Sequence, residues 1–280
     1  MKRQPARART GTGRLLCAVL VIVLIAISGC RDESPIAEPA SYLVVMSAFP
    51  PELTKLLREM DVRDTLSVGG ATWHVGTLAG NEVVILLSGV GLESAAATTR
   101  SVLDSLNVSG IVFSGIAGGI NPGLNIGDVT VPAKWGHADG DLGPGDPEFW
   151  LPVDALMLET AESVAGSVTL LDSAAQGLRL RSRPRVVTGG NGVSNSFFVD
   201  DPEYRNWLWT TFEANAVDME TAAVARVASE RGVAYIAFRS LSDLAGGGPG
   251  ANEVDTFFQL AADNAASVVL AFLAAQAGSQ

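Results

Sequence analysis

The stretch Val112–Val131 reads VFSGIAGGINPGLNIGDVTV. Its start extends back to Gly110 as a short apolar run, Gly110–Ser114, of the kind a strand buried on both faces shows. The glycines of Gly115-Ile116-Ala117-Gly118-Gly119 then read as a turn, and Asp128–Val131 as another short strand. Toward the N-terminus lie a helix over Ser94–Leu106, a turn at Gly89-Val90-Gly91, a buried strand over Glu82–Leu87 and an alternating strand over Thr72–Leu78. Before them come a helix over Glu52–Glu59, opened by Pro50-Pro51, and a strand over Tyr42–Ser47. Toward the C-terminus the pattern continues with a loop over Gly136–Trp150, a helix over Leu156–Ala165 and a strand over Pro184–Thr188. A polar loop over Gly189–Ser196, a helix over Pro202–Thr210 and a strand ending at Ala216-Val217 come next. A helix over Glu220–Arg231, a strand over Ala234–Arg239 and a helix over Asp255–Ala275 complete the chain. Strands alternating with helices predict a single α/β domain over residues 41–280, a mixed but mainly parallel central sheet flanked by helices on both faces.

The first forty residues read differently. Lys2, Arg3, Arg7, Arg9 and Arg14 precede an apolar run, Leu15–Ile27, which ends in Ile27-Ser28-Gly29-Cys30. A basic start, a short apolar region and a small-residue cleavage site describe a secretory signal over residues 1–29. The ending resembles the bacterial lipobox, which implies lipidation at Cys30 and a cell-envelope location on the extracytoplasmic side. Residues 30–40, polar with two prolines, read as a tether. Of 19 Lys and Arg, five lie in the signal, so 14 face 30 Asp and Glu, a net charge of −16. Such a surface repels phosphate backbones and argues against a nucleic-acid partner.

Several chemistries lack their residues. The only histidines are His74 and His137, too few for a His-based zinc site. The sequence contains no phosphate-loop, dinucleotide or nucleophile-elbow motif, so no cofactor is expected. Cys17 lies in the signal and Cys30 would carry lipid, which leaves no thiol for catalysis. The chemistry then falls to carboxylates, and three stand past strand ends or at helix starts: Glu52, Glu220 and Asp243. Singly, each is accounted for as a helix or turn cap.

Together with their flanks they say more. Val112–Val131 resembles the signature segment of the nucleoside phosphorylase and nucleosidase superfamily. Val217-Asp218-Met219-Glu220-Thr221-Ala222-Ala223 is similar to its ribose-binding junction, and Phe238-Arg239-Ser240-Leu241-Ser242-Asp243 to its R-x-x-S-D motif. The motifs stand in the family's order over a resemblance that runs from about Tyr42 to the C-terminus, and the methylthioadenosine/adenosylhomocysteine nucleosidase branch is most similar in function. The resemblance implies roles for individual residues. Asp243, beside Ser242, would protonate the leaving purine, and Glu52, steadied by Arg239, would activate water. Glu220 and Met219 would hold the ribose, and the backbone at Ala117 and Gly118 would approach base and sugar. Phe198, or Phe197 if the loop slips by one, would stack on the base, and Val199 would bond its edge. A 6-amino purine nucleoside would be the small-molecule partner, and a homodimer the assembly.

Three departures stand beside the resemblance. Ile116 replaces a serine common at the water site, Asp218 replaces the first glutamate of E-M-E, and the segment after Asp128 is divergent. There Trp135, Phe149 and Trp150 either line the pocket for the 5′ substituent or pack a dimer interface, and the segment, with Trp135 and His137, resembles plant bark-storage relatives. Two alternatives to hydrolysis stay open: a non-catalytic nucleoside-binding or storage protein, and a phosphorylase, for which Ser94 matches a phosphate-binding serine.

Overall fold

The computed structural model describes residues 41–278 apart from Gln176 and residues 249–250. The signal, the tether and Cys30 lie outside the described residues. In chain order the elements are β1 (Tyr42–Ser47), α1 (Pro50–Glu59), β2 (Asp61–Val68), β3 (Ala71–Leu78), β4 (Asn81–Leu87), α2 (Leu92–Ser105) and β5 (Val108–Gly119). Then come β6 (Val129–Val131), β7 (Lys134–His137), β8 (Leu151–Pro152), α3 (Ala155–Ala165), β9 (Val186–Thr188), β10 (Asn191–Ser194) and α4 (Pro202–Phe212). The last four are β11 (Ala214–Asp218), α5 (Thr221–Arg231), β12 (Tyr235–Asp243) and α6 (Val254–Ala277). They form one mixed sheet in the order β2-β3-β4-β1-β5-β11-β10-β7-β8, with β12 also on β5, β6 on β12, and β9 on β6.

The centre is parallel, with β1 between β4 and β5 and β12 on the far side of β5. Period-two alternation along these strands makes two cores. Val45, Val112, Ile236 and Phe238 face α1, α3 and α6 through Leu56, Met157 and Phe272. Val44, Ile111, Phe113 and Ala237 face α2 and α5 through Ala95, Val102, Val224 and Ala228. Helix α6 is long and apolar enough to cross a membrane, but its Val268, Val269, Phe272 and Leu273 are buried within the first core, as in the core helix of a folded domain.

Two expectations are corrected, and one strand is added. The glycines of Gly115–Gly119 form no turn: β5 runs straight through them, and none of the three has a positive φ. They are there for space, since a Cβ at Gly115 would overlap Arg239 Nη1 and Glu52 Oε1. The polar loop over Gly189–Ser196 contains β10, held between β7 and β11. Strand β2 was not expected, because its Asp61-Val62-Arg63-Asp64 start is exposed and charged; among the described residues it pairs only with β3, at the sheet edge, where side chains need not alternate.

The sheet splits at Gly118. At its C-terminal end β5 pairs with β12 on one side, Gly118 opposite Asp243, and antiparallel with β11 on the other, Gly118 opposite Val217. Two acidic strand ends are thereby brought to either side of one glycine.

Candidate active site

Asp243 ends β12, Asp218 ends β11, and Glu220 is the N-cap of α5. Glu52 comes from the first turn of α1, where Pro50 and Pro51 set the helix start. These four acids line one cavity of about 400 Å³. Ala117, Gly118, Met219, Phe198, Val199 and Ser242 line it as well, so every expected site residue among the described ones except Arg239 opens onto one space. Gly118 permits the close approach of its walls, since a Cβ there would stand 3.3 Å from Asp243 Oδ1 and from Val217 Cγ1.

Arg239 lies directly behind this wall with no exposed surface. Its Nε is 2.8 Å from Asp218 Oδ2, its Nη2 3.7 Å from Glu220 Oε2, and its Nη1 4.0 Å from Glu52 Oε1. The guanidinium also stacks 4.2 Å from the Phe113 ring centre. Nη1 has no hydrogen-bond acceptor among the described residues. One cation thus serves three buried carboxylates. Asp218 accepts the most bonds: from Ser194 Oγ, from Thr221 Oγ1, and from the amides of Glu220 and Thr221 at 3.2 Å each. The shorter aspartate arm, a departure in the sequence, is absorbed by this hydroxyl pair.

Glu52 is almost fully buried. Its Oε2 accepts the Ala48 amide at 2.8 Å and its Oε1 the Ile116 amide at 2.7 Å. Main chain at position 116 therefore holds Glu52, although the side chain there is apolar. Burial raises its carboxyl from 4.5 to about 7 against the pull of Arg239 and the two amides. Glu220 accepts the Gly91 amide at 2.9 Å, and burial, then the charge of Asp218, raise its pKa. Asp243 accepts the Ala245 amide at 2.7 Å and the Ser242 hydroxyl at 2.9 Å, and burial raises it too. Burial thus shifts the carboxyls of Glu52, Glu220 and Asp243 in the same direction, upward.

The walls are apolar. Phe197 and Phe198 both line the cavity and are 47 % and 52 % exposed; Phe197 packs against the Tyr204 ring at 5.3 Å. Phe49 and Phe258, 4.9 Å apart, and Val90 form another side that the sequence did not mark. Trp135, Phe149 and Trp150 do not line it. Trp135 is core under Gly192, and Phe149 stacks on Phe212 at 5.3 Å. His137 stands 3.0 Å from Asp139 and lines a separate cavity, while Ser94 is exposed in the first turn of α2, outside the acidic cavity. Among the described residues no group of three or more His, Cys, Asp or Glu is placed to hold a metal.

The sequence profile of the phosphorylase superfamily matches residues 42–274. The chain belongs to the phosphorylase superfamily. Within it, the chain is 29 % identical over 240 residues to a 5′-methylthioadenosine/S-adenosylhomocysteine nucleosidase of Tolumonas auensis, covering 82 % of this chain and 97 % of that one. A protein of the same name from Listeria innocua is 30 % identical over 239 residues, with the same coverage. Among solved structures, the nucleosidase of Neisseria meningitidis in complex with methylthio-immucillin-A superposes with a TM-score of 0.72 at 26 % identity, covering 84 % of this chain and 99 % of that one. Futalosine hydrolase of Helicobacter pylori superposes with a TM-score of 0.71 at 26 % identity, covering 83 % and 97 %.

Proposed function

We propose that this chain is an enzyme of the N-glycosyl hydrolase type that cleaves a purine nucleoside, adenosine or a 5′-thioadenosine, into free base and sugar. The observation that carries the reading is the charge of the cavity wall: Glu52, Asp218, Glu220, Asp243 and Asp255 line it, and among the described residues no Lys, Arg or His does. A phosphate co-substrate would enter a field of like charge, whereas water enters freely. The names of the relatives support the same reading.

The reaction is read from the placement of the acids. The purine lies against Phe198 with its edge at Val199, and the ribose hydroxyls donate to Glu220 over Met219. Asp243 gives its proton to N7 as the C1′–N9 bond breaks and its electron pair moves into the base. The sugar passes through an oxocarbenium-like state, which the surrounding carboxylates favour. Water bonds to C1′ and yields its proton to Glu52. With a carboxyl that titrates near 7, Glu52 is matched to accept that proton at neutral pH. One proton then returns from Glu52 through solvent to Asp243.

The N-terminal signal and Cys30 support a second part of the proposal: the enzyme is exported, lipid-anchored to the cell envelope, and meets nucleosides outside the cytoplasm. The test of the catalytic part is turnover of a nucleoside panel with and without phosphate, with products separated by chromatography. Free base and free sugar in phosphate-free buffer are expected. Base released only with phosphate, as ribose 1-phosphate, or binding without turnover, would overturn it.

A further inference from the structure

Asn252 is not part of the motifs above. It stands in the Gly-rich stretch between β12 and α6, yet its amide touches three parts of the site. Its Nδ2 donates to Asp243 Oδ1 at 3.3 Å and to Asp200 Oδ1 at 2.9 Å, and its Oδ1 accepts the Val254 amide at 2.9 Å. Asp200 directly follows Val199 of the base-facing wall, and Val254 opens α6 and lines the cavity.

The two oxygens of Asp243 are therefore unequal. Oδ1 receives two N–H donors, Ala245 at 2.7 Å and Asn252 at 3.3 Å. Ala245 itself has a left-handed backbone, φ 49°, unusual for a residue with a side chain. Among the described residues Oδ2 meets only the Ser242 hydroxyl, at 2.9 Å, and a hydroxyl accepts as readily as it donates. An oxygen facing two N–H donors cannot also carry a proton toward them, so the acid proton belongs on Oδ2. We propose that Asn252 is a positioning residue of the reaction: by filling the second acceptor site of Oδ1 it confines the transferable proton of Asp243 to Oδ2, and through Asp200 and Val254 it fastens that carboxyl between the base-facing wall and α6.

The inference rests on Asp243 being the acid of the proposed hydrolase. Charged groups stand near this carboxyl from several elements: Asp200 shares the Asn252 amide with it, and Asp218 of β11, Glu220 at the N-cap of α5 and Asp255 of α6 line the same cavity, while the nearby Arg205 of α4 is engaged by the Gly119 carbonyl. The Asn252 amide favours the ionised form of Asp243 and the Asp200 charge disfavours it.

The experiment measures kcat and KM across pH for the full chain in detergent, on adenosine and 5′-methylthioadenosine, for wild type, Asn252→Ala, Asn252→Asp and Asp200→Asn. In both Asn252 variants kcat falls by about tenfold, the effect of one lost hydrogen bond to a charged group, while KM stays within about twofold. The alkaline limb of kcat/KM moves to higher pH in Asn252→Ala and further in Asn252→Asp, which keeps the shape but adds a like charge. In Asp200→Asn it moves to lower pH. Limbs that coincide with wild type in both Asn252 variants, with kcat changed less than twofold, overturn the inference. Should Asn252→Ala fail to fold, the isosteric Asn252→Asp decides alone. The hydrolase reading fails separately, by an inactive wild type or an active Asp243→Asn, before the Asn252 series is read.

Discussion

Replacing Glu52 with glutamine separates what this carboxyl does for the reaction from what it costs the fold. The wild-type carboxyl is raised from 4.5 to about 7, chiefly by burial. Between those values the folded chain keeps a proton that the unfolded chain has released, so unfolding free energy falls as pH rises through that window. The contribution is fully present below about pH 4.5 and lost above about 7; at about 1.4 kcal/mol per tenfold change it amounts to about 3 kcal/mol. Glutamine is the same size and does not titrate. Its single carbonyl oxygen serves either the Ala48 or the Ile116 amide, and the other loses its acceptor at a cost of about 1–3 kcal/mol that does not vary with pH. Urea denaturation of both proteins from pH 4.5 to 8 therefore gives curves whose offset changes by about 3 kcal/mol in favour of Glu52→Gln as pH rises. The same variant loses turnover. Parallel stability curves would refute the assignment of a proton to Glu52 in the folded state.

The same geometry sets other outcomes. Asp243→Asn lowers kcat by about 10²–10⁴, the usual worth of a general acid, as read by base release; an unchanged rate removes Asp243 from the mechanism. In the wild type, kcat/KM rises as pH passes about 7 and Glu52 loses its proton; an initial-rate profile flat through that region contradicts its role as base. Arg239→Met leaves Asp218, Glu220 and Glu52 without their shared cation, and costs about 3–5 kcal/mol of stability at neutral pH, measured by denaturation. Cys30→Ser abolishes incorporation of labelled fatty acid and releases the protein from the membrane fraction; retained label would refute the lipid anchor.

Much of this was legible in the sequence, and the failures have physical causes. Apolar runs such as Tyr42–Ser47 and Glu82–Leu87 announce buried strands because both faces of a covered sheet exclude water. The acids Glu52, Glu220 and Asp243 were recognisable because their flanks keep a family pattern. Glycine misled at Gly115–Gly119: the residue signals either a special backbone angle or a missing side chain, and only the position of Arg239 and Glu52 tells which. Strand β2 stayed hidden because an edge strand solvated along Asp61–Thr65 has no apolar alternation to read. Trp135 and Phe149 were expected near the substrate or an interface, but large rings fit a core and a pocket wall equally well by composition. Asn252 carried no signal at all, since its three bonds depend on the path of a loop without periodicity.

The central claim, that water attacks C1′ in a cavity of carboxylates, is tested most directly with isotope. The full chain is incubated with adenosine or 5′-methylthioadenosine in phosphate-free buffer made with ¹⁸O-water, and the products are read by mass spectrometry within seconds of quenching and reduction of the sugar to fix its C1 oxygen. Free adenine and a sugar carrying one ¹⁸O at C1 are predicted, with no change on adding phosphate. Adenine release that waits for phosphate, with ribose 1-phosphate as the sugar product, would contradict the account.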